Sequence, residues 1–578
     1  MSQLDWIVLI VTLSGIIIFG LYKSRTTRDL DGYFLSNRSL PWGLVLLSIM
    51  GTQASAITFL AAPGQAYTDG MRFVQYYFGL PIAMVVLCIF FVPIFSKLKI
   101  YTAYEYLETR FDNKTRSLTS FLFLLQRGLS TGISIFAPSI ILSSLLGWNI
   151  YWTNLVMGGL LIIYTISGGA KAVAYTQQLQ LIIIFAGMFL AGSILVNMLP
   201  EGMGFSDALY IAGDFGKLNV ITTGFTNEGF NWSDQYNIFS GIVGGFFLAL
   251  SYFGTDQSQV GRYLTAKSLT QSRMGLLMNG LVKIPMQFFI LLLGVLLFSF
   301  YQFNKAPIFF NQSLVTTASQ TKYGAALNQI EQEYNKQISI ISNGQKEKNI
   351  LQKQNQSPVG VEASIQFANK TADSLRKEYK KTIAKSLPGV DTNDTNYIFL
   401  RFVMDYLPVG LVGLLIAIIF LAAWGSIAAA LNALASSTVI DFHRRFSKKS
   451  NSNEKEYSIS KWYTLAWGVF CIIVAMFTYQ IGNSLIEAVN ILGSLFYGVI
   501  LGVFLVAFFL KKITNGTVVF MAAILAEVIV LSVFGMTKFG VIQLGFLWLN
   551  PIGAISVLLL TLLLNAINLQ KKLFQRSN

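Results

Sequence analysis

Ser48-Ile-Met-Gly-Thr-Gln-Ala-Ser-Ala-Ile-Thr-Phe-Leu-Ala-Ala-Pro-Gly64 lies inside an apolar run that begins near Leu40. Its setting predicts a membrane helix, yet Gly51, Thr52, Gln53, Ser55 and Thr58 crowd its middle and Pro63-Gly64 closes it. An unpaired polar group in hydrocarbon is costly. A span this polar is stable only if its helix breaks against protein or a wet cavity, and such breaks are where transporters hold ions and solutes. A small-residue packing face accounts equally well for Gly, Ala, Ser and Thr in an isolated helix. The rest of the chain decides between the two.

The 578 residues are 54% hydrophobic and 12% charged, about half the charged share of soluble domains. Mean hydropathy is +0.57, and apolar runs of membrane-crossing length recur from end to end, which predicts an all-α polytopic membrane protein. The net charge of +15 does not point to nucleic acid, because the basic residues sit in short loops between apolar runs and form no single face. Cys88 and Cys471 both fall in apolar runs, so neither a disulfide framework nor a metal site follows. The one histidine, His443, sits in a basic loop, which leaves no imidazole cluster and no Ser/His/Asp triad. Met1-Ser-Gln-Leu-Asp5 lacks the basic start of a signal peptide, so the first apolar run reads as a retained span.

About thirteen spans are expected, near residues 5–22, 41–62, 74–95, 117–146, 151–169, 178–199, 236–255, 275–302, 398–438, 461–481, 484–510, 516–535 and 543–567. The ninth run is too long for one perpendicular span and is expected to include an amphipathic lead-in helix. Loops after odd-numbered spans carry Lys23, Arg25, Arg28 and Arg38, then Lys97, Lys99, Arg110, Lys114 and Arg116, then Arg262, Lys267 and Arg273, then Arg444, Arg445, Lys448 and Lys449. Lys511, Lys512, Lys571, Lys572 and Arg576 fall on the same side, while the other face has only Arg72, Lys217 and Lys538 in its short loops. Positive-inside counting puts the N-terminus outside and the C-terminus in the cytoplasm of a plasma or inner membrane. The polar stretch 304–396 then falls outside. Leu327, Ile330, Tyr334, Ile338 and Ile341 keep helical spacing, as do Ile365, Ala368, Ala372, Leu375, Tyr379 and Ile383. With Ser342-Asn-Gly-Gln345 as a turn-like stretch and Ser357-Pro358 beyond it, they predict an extracytoplasmic helical hairpin. The rest, within 1–578, reads as one transmembrane transporter domain.

An ionisable residue inside a span is a functional candidate. Arg127 lies about eleven residues into the fourth span, ~16 Å along a helix. It needs a carboxylate, a ring of carbonyls or an anionic solute; no acid lies within one turn, and the structural alternative is an ion pair with Glu487 or Glu527 in other spans. The seventh span ends in Ser251-Tyr-Phe-Gly-Thr-Asp-Gln-Ser-Gln-Val-Gly-Arg-Tyr263, after Gly241, Gly244 and Gly245. It lies five spans after the second. Two interrupted helices at matching places in two halves point to inverted repeats and a midplane site. In the ninth span, Ala422-Ala-Trp-Gly-Ser-Ile-Ala-Ala-Ala-Leu-Asn-Ala433 supplies small residues for close packing. The Ser426 hydroxyl, with carbonyls freed in the second span, makes an oxygen cage for a hard cation.

At these residues the chain resembles the sodium:solute symporter family, which holds sialic acid, proline, sugar, iodide, monocarboxylate and multivitamin transporters. The resemblance runs from about residue 5 to 510. It is carried by Ser55-Ala-Ile-Thr-Phe-Leu-Ala-Ala-Pro63, Thr102-Ala-Tyr-Glu-Tyr-Leu-Glu-Thr-Arg-Phe111, Tyr164-Thr-Ile-Ser-Gly-Gly-Ala-Lys-Ala-Val173, Asp256-Gln-Ser-Gln-Val-Gly-Arg-Tyr-Leu264 and Ser426 through Asp441. The hairpin matches nothing expected of the family. The resemblance implies a five-plus-five inverted-repeat (LeuT-like) core, with repeats about 41–199 and 236–510, working by alternating access. It implies one sodium held by the backbone carbonyls of Gly51, Ala54 and Ala422 and the hydroxyl of Ser426. Gly425 stands where the family usually has a second serine, which weakens one ligand. Some members bind a further sodium through an aspartate after the Gly-Gly motif. Here that run reads Tyr175-Thr-Gln177, and Ala428 and Ala429 replace serines, so the second sodium is expected to be absent. The implied solute site draws on Gln53, Ser55, Thr58, Gln75, Arg127 and Tyr252, with Arg127 one turn before the arginine of the sialic acid branch.

The expected function is a sodium-coupled secondary active symporter that imports a small organic solute, an anion such as a sialic acid-like or carboxylate compound. No covalent chemistry, enzyme activity, cofactor beyond sodium, nucleic acid or protein partner is indicated. A sodium-coupled carrier of a neutral sugar or polyol keeps the class and makes Arg127 structural. A sensor built on a transporter body and a channel are weaker alternatives, the latter because no charge ring or carbonyl filter is visible.

Overall fold

A backbone in hydrocarbon must bond to itself, so the long apolar runs become helices. The computed structural model describes residues 1–23, 30–446, 453–478 and 484–577. Its regular elements are helices apart from one short strand pair, Phe225–Thr226 with Gly229–Phe230. Among the described residues, nine helices are long and apolar enough to cross a membrane, and Gln3–Phe19, Trp42–Gln53, Ile150–Ile166 and Ser240–Thr255 are shorter apolar helices. Their outward side chains, such as Phe189, Phe289 and Leu559, are large, apolar and exposed, as a lipid-facing surface requires. Arg25, Arg28, Lys448 and Lys449, counted for orientation, lie outside the described residues.

α1 (Gln3–Lys23) precedes the core. α2 (Trp42–Gln53) and α3 (Ala56–Asp69) are the two halves of the polar second span. The chain leaves helical geometry between them at Ala54 (φ −80°, ψ 78°) and Ser55 (φ −84°, ψ 174°). α4 (Leu80–Val86) opens the third span and runs into a π-turn at Leu87–Phe91. α5 (Asn113–Leu146) starts at Asp112, whose carboxylate accepts from Thr115 N. α6 (Ile150–Asn197) doubles back on itself: the Tyr164 and Thr176 hydroxyls are 2.7 Å apart, whereas residues twelve apart on a straight helix are separated by ~18 Å. α7 (Gly245–Thr255) and α8 (Gln257–Tyr263) form the second broken helix, interrupted at Asp256 (φ −76°, ψ 117°). α9 (Leu269–Phe303) packs on α3, so close that a Cβ on Gly294 would collide with the Pro63 carbonyl.

α10 (Gly324–Lys353) and α11 (Val359–Ser386) are paired helices of the polar stretch with a small core of their own, in which Leu327, Tyr334 and Ile341 meet Ile365, Ala368, Ala372, Tyr379 and Ile383. The turn expected at Ser342-Asn-Gly-Gln345 is not there. α10 runs through it and the chain reverses at 354–358. Gly344 serves packing instead, since a Cβ there would lie 2.8 Å from Ile365 Cγ1. The pair is pinned to the body by Lys348 with Asp214, and by the Ser342 hydroxyl, which donates to Phe303 O at 2.9 Å.

Asp394 anchors the other end. Fully buried, it accepts from Phe310 N (2.9 Å), Arg376 Nη2 (2.8 Å) and Lys380 Nζ (2.6 Å). Burial alone raises its pKa, but Arg376 and Lys380 outweigh burial and hold the carboxyl below its ordinary 3.8. A carboxyl depressed in the folded state stabilises above its unfolded pKa, and that stabilisation is lost as pH falls through the folded value. The hydrogen-exchange protection of α11 is therefore expected to be full at pH 7 and to be lost selectively below about pH 4. Asp394→Asn should show the fast exchange already at pH 7. Protection in that variant equal to the wild type would remove Asp394 as the anchor.

α12 (Ile398–Tyr406) and α13 (Leu411–Ser437) divide the overlong ninth run, with Pro408 and Gly410 (φ 90°) between them. α14 (Asn453–Phe477), α15 (Leu485–Phe509), α16 (Gly516–Lys538) and α17 (Leu549–Ser577) complete the chain.

Candidate functional site

The break between α2 and α3 releases backbone oxygens. In an unbroken helix Ser55 N–H would bond to Gly51 O and Thr58 N–H to Ala54 O. Here Ser55 N donates to Gln53 O and Thr58 N to Ser55 O, both at 3.0 Å, so Gly51 O and Ala54 O lose those partners. On α13 the Ser426 hydroxyl donates to Ala422 O and Ala423 O, each at 3.0 Å, which leaves its lone pairs available. Gly425, also expected in the cage, has a carbonyl that accepts from Gln177 Nε2 at 3.1 Å.

A cavity opens between the two breaks. Its wall includes Thr52, Gln53, Ser55 and Thr58 from α2 and α3, Tyr76 and Tyr77 from the segment before α4, and Gln126, Arg127, Thr131 and Ser134 from α5. Leu248 and Tyr252 of α7, Ser426 and Ala430 of α13, and Asn490 and Tyr497 of α15 close it. Ser55 stands at the N-cap of α3, so the positive end of that helix faces the cavity. Five of the six expected solute contacts, Gln53, Ser55, Thr58, Arg127 and Tyr252, are on this wall. Gln75 is not. Its buried amide donates to Thr222 Oγ1 (3.0 Å), Tyr236 O (3.0 Å) and Arg72 O (3.2 Å) and accepts from Thr222 N (3.1 Å). It fastens a loop rather than facing a solute, because the turns of Gly70–Tyr77 rotate it away from the cavity that Tyr76 and Tyr77 line.

The structure also corrects the surroundings of Arg127. Its Nη2 pairs with the Asp256 carboxylate and donates to Tyr497 Oη at 3.0 Å, and its guanidinium lies 5.3 Å from the Tyr252 ring centre. Asp256 also accepts from Tyr497 Oη (2.7 Å), Ser258 N (2.8 Å) and Ser258 Oγ (2.6 Å). Neither Glu487 nor Glu527 is the partner. Glu487 lines a separate cavity with Asp69, Arg72 and Asp234, and Glu527 is buried on α16 without a hydrogen-bond partner among the described residues. Arg127 Nε is buried and likewise has no hydrogen-bond partner among the described residues.

Sequence reasoning passed over Asp256, Tyr497 and Lys283 as site residues, and read Gln177 only as a lost ion ligand. Asp256 and Tyr497 complete the Arg127 cluster; the signal for Asp256 was an acid at the very point where the seventh span breaks. Gln177 bridges α6 to α2 and α13. Among the described residues, Lys283 of α9 is buried without a hydrogen-bond partner, 5.4 Å from the Tyr77 ring centre, with Asn279 and Gln287 equally buried and unpartnered one turn on either side. An intramembrane lysine was visible in the eighth span.

The model of the sodium:solute symporter family matches residues 33–331 and 379–526, so 332–378, most of the paired helices α10 and α11, fall outside both blocks. The sodium/sialic acid symporter of Proteus mirabilis is 25% identical over 560 residues, covering 96% of this chain and 93% of that protein. The human sodium-coupled monocarboxylate transporter 1 is 32% identical over 255 residues, 44% of this chain and 40% of that one. A solved outward-open, substrate-bound state of a Na+-coupled sialic acid symporter superposes with a TM-score of 0.73 at 24% identity, covering 97% of this chain and 96% of that chain. That likeness speaks for the fold.

Proposed function

The chain belongs to the sodium:solute symporter family, and on that premise we propose that it imports a small organic anion together with sodium, by alternating access. The family is one of transporters and not of enzymes. The observation that carries the anion is the cavity wall, which Arg127 shares with the Ser55 and Thr58 hydroxyls at the N-terminus of α3. A guanidinium, hydroxyls and a helix N-terminus all favour negative charge. The relatives named for sialic acid match over nearly the whole chain, and a sialic acid-like or other carboxylate solute fits this wall.

One sodium binds to the carbonyls of Gly51, Ala54 and Ala422 and the Ser426 hydroxyl. Gln177, Ala428 and Ala429 provide no second cage. The apolar helices are read as thirteen spans, Trp42–Gln53 with the start of Ala56–Leu98 making the second and the rest of Ala56–Leu98 the third, with the breaks of α2/α3 and α7/α8 at matching places in a five-plus-five core. The basic loops support an N-terminus outside and a C-terminus in the cytoplasm of the cell membrane, with α10 and α11 outside. Sodium entry then drives uptake, one charge crossing 100 mV being worth roughly 2.3 kcal/mol.

The test is uptake of radiolabelled sialic acid and simple carboxylates into proteoliposomes, under an inward sodium gradient against a choline control. Ser426→Ala removes the one side-chain oxygen of the cage. It is expected to raise the half-maximal sodium concentration about tenfold or more, with the helical content unchanged. Unaltered sodium dependence would sink the cage. Uptake that follows a proton gradient would replace the coupling ion, and transport of neutral sugars in place of acids would return Arg127 to a structural role.

A further inference from the structure

We propose that Gln177 is the positioning residue of the sodium cage, a neutral bridge that sets the broken end of α2 against α13. The inference rests on the cage at Gly51, Ala54, Ala422 and Ser426. Gln177 is fully buried on the returning limb of α6. Its Oε1 accepts from Ser48 Oγ at 2.9 Å, and its Nε2 donates to Thr52 Oγ1 at 3.2 Å and to Gly425 O at 3.1 Å. The reverse amide orientation would set its oxygen against the Gly425 carbonyl, so the partners fix which way it points.

Two glycines make room for this bridge. A Cβ on Gly51 would lie 2.9 Å from both Cβ and Cγ of Gln177. One on Gly425 would lie 2.6 Å from Gln180 Oε1 and 3.2 Å from Gln177 Cγ. A long amide at 177 and glycine at 51 and 425 are therefore one coupled solution. Gln177 packs directly on the residue whose carbonyl the break releases and holds the carbonyl next to Ser426. Both walls of the cage are registered through a single side chain on a third element. Its two N–H groups also point their positive ends at Thr52 Oγ1 and Gly425 O, which closes that space to a cation and leaves a single ion between α2 and α13.

The experiment uses purified full-length protein and sodium alone as the probe. The midpoint of sodium-dependent thermal stabilisation is read in NaCl, balanced with choline chloride. Gln177→Leu keeps the volume and removes all three bonds; its sodium midpoint is expected to rise about tenfold. Ser48→Ala touches neither cage nor cavity and removes one bond; a rise of about threefold is expected. Gly425→Ala should raise the midpoint in the wild-type background and much less in Gln177→Ala/Gln180→Ala, where both side chains that its Cβ would meet are cut back. Ser426→Ala is run alongside. If it leaves the midpoint unmoved, the cage itself falls and the bridge with it. If Ser426→Ala moves the midpoint while Gln177→Leu and Ser48→Ala lower only the melting temperature in choline, Gln177 is merely structural and the proposal is overturned. Should Gln177→Leu fail to fold, Ser48→Ala and the Gly425 pair decide by the same criterion.

Discussion

Arg127→Ala is expected to lower the melting temperature and abolish solute binding, and Arg127→Ala/Asp256→Ala to recover the first without the second. Asp256 is fully buried and its charge is met by the Arg127 guanidinium, with Tyr497 and Ser258 supplying the remaining hydrogen bonds. Removing the guanidinium alone strands a buried carboxylate, a loss of about 3–5 kcal/mol. Removing both partners takes the stranded charge away, so stability returns. Solute binding does not return, because the guanidinium charge on the cavity wall is gone. Arg127→Lys should also weaken binding sharply, since a single ammonium cannot serve Asp256, Tyr497 and a solute in the fixed geometry of a guanidinium. Thermal unfolding and binding measured on the same purified variants separate the outcomes. Wild-type solute binding in the double variant would make Arg127 purely structural and remove the main argument for an anion.

The second large effect is expected at Asp441. It follows α13 on the π-turn Thr438–His443 and has no exposure. It accepts from Arg116 Nε (2.8 Å) and Nη2 (2.5 Å), Thr102 Oγ1 (2.8 Å) and Ser120 Oγ (2.9 Å). Arg116 Nη1 continues to Glu108 at 2.7 Å, and Glu108 pairs with Arg445. One carboxylate thus joins the segment before α5, α5 itself and the end of α13. Asp441→Ala leaves Arg116 buried beside vacated space, a destabilisation of about 3–5 kcal/mol. Asp441→Asn keeps acceptor capacity without charge and should lose less. Alternating access needs such a closure to form and release, so uptake is expected to fall in both variants, further in Asp441→Ala. Melting temperature and uptake are the measurements. Normal uptake in Asp441→Ala would exclude this cluster from the transport cycle.

Local chemistry decided a great deal in advance. Apolar runs of membrane-crossing length, the polar middle of 48–64, the Gly-interrupted seventh span and the amphipathic spacing of 327–341 and 365–383 are all written along the chain, because helix formation in hydrocarbon depends on a residue and its near neighbours. The family was legible for the same reason, through runs such as Thr102–Phe111 and Asp256–Leu264. Partners were not. Asp256 lies 129 residues from Arg127, and no periodicity links them; they meet only because α7 breaks beside α5. Ser342-Asn-Gly-Gln345 has the composition of a turn but stays helical, since Gly344 is held against Ile365 of another helix. Gln75 sits on the expected span yet turns to Thr222 and Tyr236, and Gln177, read as a lost ion ligand, turns out to hold two helices together. The sequence alone determined where the apolar helices form and that the second and seventh spans break. Only the tertiary structure decided which freed oxygen, charge or amide meets which, because a buried polar group takes its partner from whatever helix packing brings within hydrogen-bond reach.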